Sequence, residues 1–225
     1  VTAVLDWLSS LPVAVLAARP WLWVTHASLL LVTGQTNGVE EKLQAAEASL
    51  KASEPNDQTR NFVGQIAAAR ATLALSQYQA ETMITQSRLA LEYLYPNNPL
   101  RANANWTLGI AHLYKGERAA GRRALTEAIT LSQAAGDIFT SILATLGLGM
   151  VQETENQLHQ ATETYRRGLQ LAGDPPLPVA SEAHLGLARI LCEWNDLDAA
   201  EQHAQRSLHL ARQYDRLIDR FIICE

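Results

Sequence analysis

Lysine is nearly missing from this chain. Lys42, Lys51 and Lys115 are the three that occur, and 18 basic residues face 23 acidic ones for a net charge of −5. No stripe of Lys and Arg forms, which argues against a nucleic-acid footprint, since phosphate binding needs clustered cations. Cysteine is as scarce: Cys192 and Cys224 show no CxxC spacing and give no disulfide framework. A reducing, cytoplasmic setting fits that usage. Long apolar runs are absent too. The most apolar stretch, Trp21 to Val32, holds His26 and is too short to span a bilayer, so no membrane partner is expected. No signal peptide is visible. No GxxxxGK phosphate loop occurs, so these residues offer no ATP site and no cofactor is expected on them.

What is abundant is Ala, Leu, Glu, Gln and Arg, the vocabulary of helices. The 225 residues are 48% hydrophobic, enough for a sizeable core in one domain or one continuous array. The stretch Leu191 to Ala204 shows the plan. It reads as a helix end, a tight turn at Asn195-Asp196, and a second helix on which Ala200 and Ala204 sit one turn apart, so two helices can approach closely.

That plan recurs. Residues 1–19 read as two short leading helices, the second opened by Pro12, and Arg19-Pro20 ends them. Five helix hairpins follow over 20–214, at 20–52, 58–94, 99–135, 137–172 and 178–214. Their turns fall at Gly34–Gly38, Ser76-Gln77, Lys115–Glu117, Asn156-Gln157 and Asn195-Asp196. Polar, proline-bearing linkers separate several of them, near Pro55, Pro96–Pro99 and Pro175-Pro176. The last helix is expected to end at Tyr214, and 215–225 to be the cut-short start of a further repeat in a longer protein. In register, the second helices place Lys42, Glu81, Gly121, Ala161 and Ala200 about forty residues apart. Small residues hold that position in the last three pairs, and Lys42 and Glu81 replace them in the first two. The pattern predicts an all-α fold, an α-solenoid of tetratricopeptide-like hairpins wound in a right-handed superhelix.

Several phrases point further. The segments Leu108-Gly109 with Gly116 and Gly121, Leu148-Gly149 with Ala161, Tyr165 and Gly168, and Leu187-Ala188 with Ala200 and Ala204 resemble the interlocking knobs of tetratricopeptide helices. The opening Trp7–Pro12 followed by Arg19–Leu22, the phrase Cys192–Glu201, and Leu131–Asp137 resemble the sensor superhelix of MalT-like, ATP-dependent LuxR-family transcription activators. That resemblance implies a nucleotide-switch module before this region, a DNA-reading helix-turn-helix after it, and an inducer or partner received by the superhelix. Nucleotide and DNA would then be met through flanking modules that these residues do not contain. A ligand is expected to bias the curvature of the stack, because each pair contacts mainly its neighbours and small interface changes add.

No catalytic constellation emerges. The six histidines are scattered, and His203 and His209 lie on different helix faces, so no metal clamp is expected. Cys192 is expected to be a buried structural thiol. Gly147-Leu148-Gly149 has no preceding strand and reads as close helix packing, while Glu40-Glu41 and Glu153-Glu155 read as solvated faces. The functional candidate is the concave groove lined by the first helix of each pair: Arg70, Asn103, Trp106, Tyr114, Glu153, Glu182, Arg189 and Glu193. An aromatic ring among polar groups there can stack on a sugar or a peptide while hydrogen bonds orient it. Three readings stand open: the sensor or interaction domain of a transcription regulator, a free-standing scaffold for a peptide or protein, and an all-helical toroid enzyme. The first, a non-enzyme that binds a small-molecule inducer or a partner protein and is able to self-associate, is the one the resemblance favours.

Overall fold

A computed structural model describes the backbone over residues 2–50 and 56–222, and the side chains over 3–50 and 56–213. All regular structure among these residues is helical, arranged as an α-solenoid of tetratricopeptide-like hairpins. The chain divides into two compact units, Val1–Ala111 and His112–Glu225.

Unit 1 begins with α1 (Thr2–Ser10) and α2 (Val13–Ala17), the latter opened by Pro12. Then come α3 (Trp21–Val32) and α4 (Val39–Leu50), and α5 (Asp57–Ser76) with α6 (Ala80–Tyr93). Each proline at a helix start occupies a position where its missing N–H has no intrahelical acceptor to lose. Val24, Leu30, Val39, Leu43, Ile66 and Leu73 fill the core between α3, α4 and α5. Asn56 caps α5 by accepting from the Thr59 amide at 2.9 Å. Residues 51–55, which hold most of the expected first linker, lie outside those described. Next is α7 (Leu100–Tyr114), and the division between the units falls inside it. Arg101 at its start donates to the carbonyls of Leu91 (2.7 Å) and Leu94 (3.1 Å), closing the end of α6 with a cation where the helix dipole is negative.

Unit 2 contains α8 (Arg118–Ala135), α9 (Ile138–Thr154), α10 (Leu158–Ala172), a 3-10 turn at Pro178–Ala180, α11 (Ser181–Glu193) and α12 (Leu197–Ile222). Asp137 caps α9 through the Thr140 amide at 3.0 Å. Ile142, Leu146, Tyr165, Leu187, Ile190 and Leu210 form the core. Gly121, Ala161 and Ala200, the small residues aligned by the forty-residue register, are all buried, whereas Glu81 is exposed and Lys42 half-buried.

One device closes every hairpin turn. The residue after the first helix takes positive φ, and the following amide reaches back to the carbonyl five residues earlier. These residues are Gly34, Tyr78, Gly116, Asn156 and Asn195, and the amides run Gln35 to Leu30, Gln79 to Ala74, Glu117 to His112, Gln157 to Gln152 and Asp196 to Leu191, at 2.8–3.0 Å. Gly116 and the asparagines are natural there; Tyr78, at φ 55°, is not. The sequence reads Tyr78 as the start of a helix, but its backbone belongs to the turn.

Two further expectations are corrected. The last helix does not stop at Tyr214: α12 runs unbroken to Ile222, and residues 223–225 lie outside those described. Cys192 is exposed: it sits in the last turn of α11, which ends at Glu193.

Candidate functional site

The eight predicted groove residues divide between the units. Arg70, Asn103 and Trp106 belong to unit 1; Tyr114, Glu153, Glu182, Arg189 and Glu193 belong to unit 2.

In unit 1, Arg70 of α5 is held by two carboxylates of α4. Its guanidinium donates to Glu40 (Nε 3.2 Å, NH2 2.9 Å) and to Glu47 (NH2 2.8 Å). Glu40 thus anchors a neighbouring helix rather than forming a plain solvated face. Asn103 accepts from the Thr72 hydroxyl at 3.3 Å, and Trp106 is half-buried.

In unit 2, Glu153 and Arg189 come together across α9 and α11. Arg189 grips the carboxylate with two bonds, Nε to Oε1 at 2.7 Å and NH2 to Oε2 at 2.9 Å. The same carboxylate accepts from the Tyr165 hydroxyl of α10 at 2.6 Å. Tyr165 is fully buried, and its ring is clasped by two helical glycines. A Cβ on Gly149 would lie 2.6 Å from the ring, and one on Gly186 would lie 2.4 Å from it. Gly147-Leu148-Gly149 is therefore a packing motif, as its sequence context predicts. Burial, and then the bond to Glu153, raises the Tyr165 pKa well above the usual phenol range, since both disfavour a second negative charge beside the carboxylate. Glu153-Glu155 is not the solvated face expected of it: Glu153 is largely buried in this knot, and Glu155 pairs with Arg122, which also donates to Gln157 at 2.9 Å.

The remaining candidates are outward. Tyr114 stands 47% exposed at the end of α7. Glu182 and Glu193 are exposed on α11, and their spacing of three turns puts them on one face with Arg189.

Two features escape sequence reasoning. Tyr165 reads as a large packing knob, but its hydroxyl link to Glu153 depends on three helices meeting; the usable signal is a glycine in each helix that flanks it. The other is a histidine pair. His184 of α11 and His203 of α12 meet with their Nδ1 atoms 2.9 Å apart. Burial, and then the charges of His203 and Arg206, push the His184 pKa down to about 4, and burial lowers that of His203. The usable signal is that the two residues stand on opposite sides of the Asn195 turn, within about three turns of it, so an antiparallel hairpin brings them near each other. Among the described residues no group of three or more potential metal ligands converges, and no helix is long and apolar enough to cross a membrane.

The period of the hairpins and their interlocking helices agree with the class that comparison with known proteins supplies. Residues 64–224 match the MalT-like TPR region, and the chain belongs to that family of tetratricopeptide-like repeat proteins. The fold is shared with solved structures of low identity. BtubC (BKLC) from P. vanneervenii is 14% identical over 89% of this chain and 82% of its own, with a TM-score of 0.66. A putative kinesin light chain from Podosopora anserina with nearly identical TPR-like repeats is 13% identical over 89% and 98%, at 0.60. MamA is 17% identical over 84% and 96%, at 0.52. No curated protein sequence matches significantly.

Proposed function

We propose that this chain is the signal-receiving superhelix of a bacterial LuxR-family, MalT-like transcription regulator, and that it works by binding an inducer or partner protein rather than by catalysis. The observation that carries the reading is the match of residues 64–224 to the MalT-like TPR region. The first helices of the pairs supply the binding faces. On them Glu182 and Glu193 remain exposed to a partner, as does the ring of Tyr114. Arg70, Asn103, Glu153 and Arg189 act differently: their intramolecular bonds hold the face in shape, and a ligand reaches them by exchanging partners. Ligand binding favours one curvature of the stack, and the flanking modules read that curvature.

The parent reading frame tests this. It is expected to encode a phosphate loop before this region and a helix-turn-helix after it. A frame with neither removes the regulator reading and leaves a free-standing tetratricopeptide scaffold for protein partners. The curvature model is tested by small-angle scattering with and without a saturating inducer; identical profiles end it.

A further inference from the structure

Unit 2 holds a cavity of about 610 Å³ away from the first-helix face described above. That is within the size of small-molecule sites. Pro176, from the linker ahead of α11, and Leu210 give it apolar wall. His184 lines it from α11; Gln202, Gln205, Arg206 and His209 line it from α12. The charge is one-sided: among these residues there is a guanidinium and two imidazoles, and no carboxylate. Arg206 makes no ion pair among the described residues, and the nearby Glu201 is engaged by the Gln205 amide at 3.0 Å.

His184 is the second observation. It is 93% buried, with 7% of its surface exposed, yet it lines the cavity. Its Nδ1 is taken by His203, and Nε2 has no hydrogen-bond partner among the described residues. In a histidine pair joined Nδ1 to Nδ1, one ring must donate and the other accept. When His203 donates, His184 carries its proton on Nε2 and offers it to the cavity. A guanidinium and a buried N–H donor with no carboxylate among the lining residues are the elements of an anion site.

We propose that this cavity binds a small molecule bearing a carboxylate or phosphate group, with the anion held by Arg206 and the Nε2–H of His184 and the remainder of the molecule against Pro176 and Leu210. The site stands apart from the regulator reading and does not depend on it. Among the described residues, the groups that bear on His184 are cationic or basic: His203, Arg206 and His209 of α12, and Arg166 of α10, which acts on the pair through His203 and is itself paired with Glu163. Burial and these charges oppose a proton on His184. A bound anion reverses that balance, so binding takes up a proton and strengthens as the pH falls toward 6.

Calorimetric titration of the full chain tests this, with inorganic phosphate in one arm and glutarate in the other, at low salt. Saturable 1:1 binding in one arm is expected, and the responding arm identifies the head group. Arg206→Gln is expected to weaken it about tenfold or more, while Arg212→Gln, an exposed site one to two turns along the same helix, leaves it unchanged. Because the charge of glutarate is constant near neutrality, its arm also reads the pH dependence: tighter binding at about pH 6.5 than at about pH 7.5, lost in His184→Gln. Absence of saturable binding in both arms overturns the proposal. So does binding that Arg206→Gln leaves intact in a variant whose circular dichroism matches the parent.

Discussion

In unit 1 the α5–α6 hairpin is closed by alanine. Ala67, Ala68 and Ala90 line the contact, and Gly64 lets the backbone of Leu94 approach so closely that a Cβ would sit 2.8 Å from its amide nitrogen. In unit 2 a single tyrosine does the same work across three helices, with Tyr165 clasped by Gly149 and Gly186 and tied through Glu153 to Arg189. The arginine bridges differ in the same way. Arg70 spans two half-exposed carboxylates of one helix, whereas Arg189 grips one largely buried carboxylate that is also bonded to the core tyrosine. Alanine surfaces set a distance between helices but leave their register to the surroundings. A ring between two glycines fixes both, because displacement along either helix drives it into a Cβ or a backbone turn.

Removing the ring is the largest perturbation of that contrast. Tyr165→Ala is expected to cost unit 2 about 3–5 kcal/mol, by loss of a buried aromatic and collapse of the glycine clasp. Urea unfolding followed by hydrogen exchange should then show unit 2 opening at lower denaturant while α3–α5 keep their protection; equal loss in both units would mean that the lock is not local. Added bulk sharpens the comparison. Gly186→Ala should cost about 1–3 kcal/mol by overpacking, and Gly64→Ala at least as much, since the obstacle there includes backbone. Thermal melts of the two variants check the order, and a neutral Gly64→Ala would show that the alanine interface gives way more readily than its geometry implies.

Acid is expected to bear on both units, through buried His26 in unit 1, whose pKa burial lowers, and through His184 in unit 2. The His184 pKa is lowered from 6.5 to about 4 in the folded chain, so the folded state resists a proton that the unfolded chain accepts. Its contribution is fully present above pH 6.5 and is lost as the pH falls from there toward 4. About 1–2 kcal/mol is expected after discounting for its contact with the cavity. Unit 2 should show an acid-sensitive midpoint that His184→Asn flattens; an unchanged pH profile in the variant would remove the histidine pair as its source. The smallest expected effect is a gain. Tyr78 holds φ 55° where the other turns use glycine or asparagine, and Tyr78→Gly should stabilise unit 1 by about 0.5–1 kcal/mol. A loss instead would show that the exposed ring is held there by contacts worth more than its strain.

The comparison also explains which parts of the sequence read clearly. The register was sharp where small residues mark the second helices, at Gly121, Ala161 and Ala200, because close approach there leaves few alternatives. It was blurred at Lys42 and Glu81. There α4 buries Leu43 and Ala46, and α6 buries Met83, Ile84, Ser87 and Ala90, so the packing seam runs over neighbouring positions. Glu153 and Arg189 were legible as first-helix polar residues. Their union was not, because they are thirty-six residues apart and meet across two helices. Cys192 reads as buried in an apolar helix end, but apolar neighbours in sequence do not say how far along a helix the packing reaches, and Cys192, in the last turn of α11, is exposed.

The sequence by itself determined the helices and most of their turns, since periodicity, caps and positive-φ turn residues are local properties that act within a few residues. Tertiary structure alone decided the partners: Arg70 with two glutamates, Tyr165 with Glu153, and His184 with His203. Those choices depend on which faces of separate helices meet, and on how desolvation and neighbouring charge reset each group once they have met.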